Sequence, residues 1–177
     1  MNIKFLLTSL TFSTILLTSC KDTSQKFDPN TWYKETKQAI LDQSNKPADS
    51  THTENYDDGK PHKVKYFSRG MPTIEKWYRE TGEQVVETHY SSDGRFELRR
   101  EICPTGKVAF EGIFFNKNAY GLSTWWGCGE HKQEEGIRFN NEKIGQWKTW
   151  DSNGQESVSD YGSSKLIDSL QTVRVSK

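Results

Sequence analysis

Apolar residues recur in this chain with two periods, one inside the other. The short period is two residues: Ile113 and Phe115 alternate with Phe114, and Ile137 and Phe139 alternate with Arg138. Such alternation places one set of side chains on one face of a β-strand. The long period is 24 residues. It relates Glu87, Glu111 and Glu135, then Gly112 and Gly136, Ile113 and Ile137, Phe115 and Phe139, and Gly121 and Gly145. Tyr78, Ile102, Trp126 and Trp150 keep the same step. A fixed step of this size marks one supersecondary unit used several times. Each copy holds two short apolar or aromatic stretches divided by glycine and polar residues. Gly82, Gly106 and Gly154 share one phase, and Asp93-Gly94 and Asn153-Gly154 are tight-turn dipeptides. At the matching phase of the third copy stands Glu130, with Gly129 one place earlier. Two strands of about 5–6 residues and two turns fill such a step. The expectation is an all-β fold, in which repeated antiparallel β-hairpins form an elongated single-layer sheet over residues 56–162.

The stretch ahead of the repeats reads differently. Asp28-Pro29 has the form of a helix start, with Asp28 as N-cap and Pro29 in the first turn. Trp32, Thr36, Ala39 and Ile40 fall on one side of a short N-terminal helix that ends near Gln43. Its expected place is over the first repeat, shielding that edge, with an isolated, frayed helix as the alternative. Residues 44–55 are polar and read as linker, so a tether with a short helix spans 20–55 and a tail spans 163–177. Residues 1–19 carry one early cation, Lys4, and then an apolar run from Phe5 to Leu17. The run is too short and too rich in Ser and Thr for a membrane-spanning helix. It has the layout of a cleaved secretory signal.

That run closes on Leu17-Thr18-Ser19-Cys20, which resembles the bacterial lipobox. In that family the signal is cut before the cysteine, whose thiol then carries a diacylglycerol. The resemblance implies lipidation at Cys20 and a membrane partner reached through that N-terminal anchor. It also implies a place in the bacterial cell envelope. Buried acyl chains stabilise such attachment by about 0.8 kcal/mol per methylene. Lys21 follows the cysteine where an inner-membrane retention signal has Asp, which favours the outer membrane.

The repeat also carries a resemblance. Glu135-Gly136-Ile137-Arg138-Phe139, then Gly145-Gln146-Trp147, then Trp150 and Asn153-Gly154, is similar to the MORN repeat. The closest variant occurs in bacterial proteins labelled YwqK-type antitoxin components. The match covers about residues 56–161. It weakens toward the start, where Ser123 stands in place of Trp147 one copy earlier and Glu97 in place of the glycine before that. The resemblance implies an interaction scaffold with a protein partner. The antitoxin label implies an alternative, an immunity protein that neutralises a toxin.

Composition narrows the choice. Twenty-four Lys and Arg balance 24 Asp and Glu, so the basic face expected of a nucleic-acid binder is missing. The short cluster Lys60, His62, Lys63 and Lys65 reads as a solvated strand edge. The acidic residues likewise read as a solvated strand face. Ile113, Phe115, Ile137 and Phe139 form the candidate core. Phe114 and Trp125 fall out of phase with that set and are the candidate binding residues. Cys103 and Cys128 are 25 apart, at nearly the same phase of adjacent copies. They are disulfide candidates, with two free thiols as the alternative. Equivalent residues of adjacent hairpins lie about 10 Å apart, beyond the usual span of a bridge, so a bridge requires a loop to bend inward. No catalytic pattern, metal-ligand spacing or cofactor motif emerges from the remaining residues.

Overall fold

In a computed structural model of the chain, residues 27–129 and 131–175 are described, so the leader and Cys20 lie outside the described residues. Helix α1 (Pro29–Ser44) comes first. Ten strands follow: β1 (Ser50–Asn55), β2 (Pro61–Ser68), β3 (Met71–Tyr78), β4 (Gln84–Tyr90), β5 (Phe96–Ile102), β6 (Val108–Phe115), β7 (Asn118–Trp125), β8 (Glu134–Phe139), β9 (Glu142–Trp150) and β10 (Glu156–Asp160). A 3₁₀ helix (Ser164–Thr172) comes last. Among the described residues the strands form one sheet in sequence order, each antiparallel to the next. The fold is therefore the expected single-layer sheet of successive hairpins, with β1 and β10 as its two edges.

The turns explain the 24-residue step. At one end of the sheet, turns open at Tyr56, Arg79, Cys103 and Asp151. In each, the first residue's N–H donates to the fifth residue's carbonyl, and a glycine at the fourth place donates back to the first residue's carbonyl. Those glycines have positive φ, which side chains with a Cβ rarely adopt. At the other end, Asn116-Lys117 and Asn140-Asn141 close two-residue turns with both φ values positive, the geometry that matches strand twist.

Register assigns the two faces. Phe96 lies opposite Phe115, Leu98 opposite Ile113 and Leu122 opposite Ile137. These residues form the covered face, where α1 supplies Trp32, Tyr33 and Ile40, and the 3₁₀ helix supplies Leu170. The rings of Phe96, Phe115, Tyr120 and Phe139 step across it with centroids 4.8, 5.8 and 5.0 Å apart. Asp28 caps α1 by accepting from the N–H groups of Asn30 and Thr31. Trp32 Nε1 donates to the Val173 carbonyl at 2.8 Å and ties the helix to the C-terminal segment.

Three boundaries differ from the sequence reading. The sheet begins at Ser50, inside the stretch read as linker. Every residue of β1 is exposed, so the strand carries no apolar alternation to read. Helix α1 does not cap the first repeat. It lies across β3, β4, β5 and β7, turning Tyr33 and Ser44 inward with Trp32, Thr36 and Ile40 and leaving Ala39 exposed. Residues 164–172 of the expected tail are helical and bury Leu170 completely.

Four of the echoed glycines are places of close approach. A Cβ on Gly136 would stand 2.2 Å from the Trp147 ring, and one on Gly112 would stand 2.7 Å from Phe110. Trp147 is fully buried there, and its Nε1 donates to the Ile137 carbonyl at 3.0 Å. On the covered face, a Cβ on Gly121 would stand 2.4 Å from Trp32, and one on Gly145 would stand 3.1 Å from Ile167. Equivalent glycines thus seat the two different elements that cover the sheet.

Cys103 and Cys128 are bonded to each other, with Cα atoms 5.6 Å apart. Cys103 opens the turn after β5, and Cys128 lies in the longer loop after β7. Trp126 N–H still donates to the Ala109 carbonyl of β6, and past it the loop brings Cys128 to Cys103. This is the inward bend that a bridge between adjacent copies requires.

Two outcomes follow for stability. Gly136→Ala is expected to destabilise the fold by about 2–3 kcal/mol, the upper part of the usual overpacking cost. Gly129→Ala, whose Cβ meets nothing closer than 3.8 Å, is expected to stay within about 0.5 kcal/mol of the parent; urea denaturation of both variants is the measurement. The double variant Cys103→Ala/Cys128→Ala opens a loop of 25 residues' separation. It should lose about 3 kcal/mol, and added reductant should then leave its midpoint unchanged while lowering that of the parent.

Candidate binding surface

Two polar structures occupy the sheet, one beneath the helix and one on the uncovered face. The first is built on the repeated glutamates. Glu111 is 8% exposed beneath α1. Its Oε1 accepts from Tyr33 Oη at 2.7 Å and pairs with Lys37 Nζ at 2.5 Å. Its Oε2 accepts from Arg100 Nε at 2.8 Å. Burial by itself raises this carboxyl, but the hydrogen bonds from Lys37, Tyr33 and Arg100 outweigh it and hold the group below the usual carboxylate range. Burial, with the Glu111 charge, pushes the Tyr33 phenol well up, so it stays a donor. Glu87 lies 2.7 Å from His89 Nε2, whose Nδ1 meets Ser44 Oγ at 2.9 Å. The His89 hydrogen bond is the main cause that holds Glu87 down to about 2, against burial and with help from the charges of His89 and Lys76. Glu135 accepts from Thr124 and pairs with Lys132. The acidic residues at this phase are thus engaged in ion pairs, with Glu111 buried and Glu87 and Glu135 half-buried, not the solvated face that their abundance suggested. Helix α1 supplies the lid over Glu111.

The second structure lies on the other face. In its first half, Lys63 pairs with Glu54 at 2.5 Å and Lys65 with Glu75 at 2.8 Å. The same two lysines stand over the rings of Trp77 and Tyr90 at 5.0 and 5.2 Å. Trp77 Nε1 donates to Glu75 at 2.7 Å. Burial and the neighbouring Glu75 charge raise the carboxyl of Glu97. In the second half the rings dominate. Phe110 touches both sequence-selected residues: Phe114 at 6.4 Å and Trp125 at 4.3 Å between centroids. Trp125 lies 6.3 Å from Trp147, which meets Tyr161 at 6.2 Å. Arg138 stands over both tryptophans, its guanidinium 5.2 Å from Trp125 and 5.3 Å from Trp147. Lys143 stands 4.3 Å over Trp147 and 5.2 Å over Tyr161, and pairs with Glu134. Cation–ring contacts of this kind contribute about 0.5–2 kcal/mol each.

Phe114 and Trp125 therefore share one face and one aromatic cluster, and both are half-buried. Cys103 and Cys128 staple the end of the sheet beside them. The sequence reading missed Arg138, Lys143 and Tyr161. Arg138 alternates with the core residues Ile137 and Phe139, and that alternation was the available signal for its face. Trp147 is buried by cations and rings on the uncovered face and not beneath the helix.

A groove of about 870 Å³ runs between α1 and the C-terminal segment, lined by Trp32, Glu35, Asp42, Gln171 and Arg174 among others. It brings no pair of strongly shifted groups together. Among the described residues no cluster of three His, Cys, Asp or Glu side chains is arranged to hold a metal ion, and no helix is long and apolar enough to cross a membrane. No known family model matches this chain, and no curated protein is significantly similar to it.

The depressed Glu87 carboxyl sets a pH dependence. A group held below its ordinary value of 4.5 contributes stability that is present above that value and is lost as pH falls toward about 2. Urea midpoints at pH 6, 4 and 2.5 should fall steeply for the parent. They should fall less steeply for Glu87→Gln, which cannot take up that proton.

Proposed function

We propose that the chain is a lipid-anchored protein of the bacterial cell envelope whose MORN-like sheet binds another protein. The observation that carries this reading is the division of labour between the two faces. The chain's own helix and C-terminal segment cover one face. The other holds an ordered layer of rings and cations with no described element packed over it. Flat or gently curved sheets of repeated units bind along extended surfaces. Aromatic residues and arginine are the side chains that dominate protein–protein contacts. The family resemblance of residues 56–161 supports a scaffold role. The lipobox-like Leu17-Thr18-Ser19-Cys20 supports the anchor, and Lys21 after the cysteine supports the outer membrane.

The anchor and the surface have separate tests. Cys20→Ser should move the protein from the membrane fraction to the soluble fraction; an unchanged distribution would remove the anchor. For the surface, a photo-crosslinking residue in place of Phe114 in the full lipidated chain should give an adduct with an envelope protein. The same residue in place of Leu166, exposed on the 3₁₀ helix, should not. An adduct that is a toxin, with growth rescued by this chain, would favour the immunity role. No adduct at position 114 would end the binding reading.

A further inference from the structure

We infer that Arg138 is an anion receptor on the uncovered face and that it takes the carboxylate of an acidic side chain in an extended segment of a partner protein. The inference rests on the binding role proposed above and names its anchor. Most face cations in the described structure have a nearby carboxylate: Lys63 has Glu54, Lys65 has Glu75, Arg99 has Glu101 and Lys143 has Glu134. Arg138 has none among the described residues. Its Nη1 donates to the Asn141 carbonyl at 2.5 Å. Its Nε is out of contact with solvent and has no hydrogen-bond partner. Nη2 makes no protein hydrogen bond and is not among the buried unpaired atoms, so it faces solvent. Nη2 is therefore the open donor of an unused edge, with the unpaired Nε beside it. An unpaired buried donor is costly, and a planar carboxylate is the group that matches such a fork.

The setting makes the charge count for more. Trp125 and Trp147 both stand against the guanidinium, which reduces the water around it. A charge-assisted bond formed there is stronger than one in bulk water.

The same observations favour a polypeptide over other anions. Sugar rings bind by stacking on bare aromatic faces, but Trp147 is fully buried and Phe110 is 4% exposed. Arg138 and Lys143 already occupy the ring positions. A polyanion such as nucleic acid would also meet Glu75, Glu97, Glu101 and Glu134 on or near this face. A single carboxylate on a neutral or mixed segment avoids that repulsion.

The test is an NMR titration of the full chain, following the indole N–H signals of Trp125 and Trp147. The probe is a ten-residue Ser/Thr peptide carrying three Glu, with its three-Gln counterpart as control. The Glu peptide should shift both signals and the Gln peptide should not. Arg138→Gln should weaken the Glu peptide about tenfold or more. Lys34→Gln, an exposed cation on α1, should leave binding unchanged. Melting curves of Arg138→Gln should show that it is folded. Equal binding by the parent and Arg138→Gln, or no binding, overturns the inference. Tighter binding of polygalacturonate than of the peptide overturns it in favour of an anionic glycan. Concentration-dependent dimerisation lost in Arg138→Gln overturns it in favour of a second copy. The crosslinking experiment separates the two readings: an adduct at position 114 that survives Arg138→Gln removes this anchor but leaves the binding role standing.

Discussion

A single ten-stranded sheet presents two faces to water, and the described chain offers only α1 and a 3₁₀ helix to cover them. Among the described residues no second sheet stacks on it. Every other feature follows from how each face meets this constraint. The face beneath α1 buries an aliphatic and aromatic band, and Phe96, Leu98 and Ile113 are fully out of solvent there. Completely burying such a side chain stabilises the fold by roughly 1.5–3 kcal/mol, so this band is the main source of cohesion. The opposite face has no such lid. It shields its rings with its own long cations, of which Lys63, Lys65 and Lys143 also pair with strand carboxylates.

The helix lies over charges as well as over apolar residues. Its Tyr33 and Lys37 reach Glu111, and Ser44 at its end meets His89. Arg100 bridges the system by contacting both Glu111 and Glu87. Buried pairs of this kind add little net stability over apolar packing. Their effect is directional: helix α1 set down in another register would leave Glu111 and Arg100 buried with fewer partners. The ion-pair row thus fixes where α1 lies, and the glycine at position 121 fixes how closely Trp32 can approach.

The disulfide acts at the rim that the helix does not reach. The loop after β7 is longer than the turns at the same end of the sheet and lacks their glycine phase. Its bond to Cys103 holds it against β6, next to the Phe110–Trp125 contact. The uncovered face is therefore ordered from three directions: cations above the rings, bare glycines below Trp147 and Phe110, and a covalent tie at the end.

The strands from β2 to β9, the turns and the repeat were legible in the sequence because they depend on local chemistry. Alternation sets the face of Ile137 against Arg138, and glycine at a fixed phase sets the turn. Phe114 and Trp125 could be placed together on the second face for the same reason. Strand β1 was not legible, since neither of its faces is buried and it carries no pattern. The burial of Glu111, the closeness of Cys103 to Cys128, and the contact of Arg138 with two tryptophans belong to the tertiary structure. Each depends on where a distant segment comes to rest, and a short-range pattern holds no record of that.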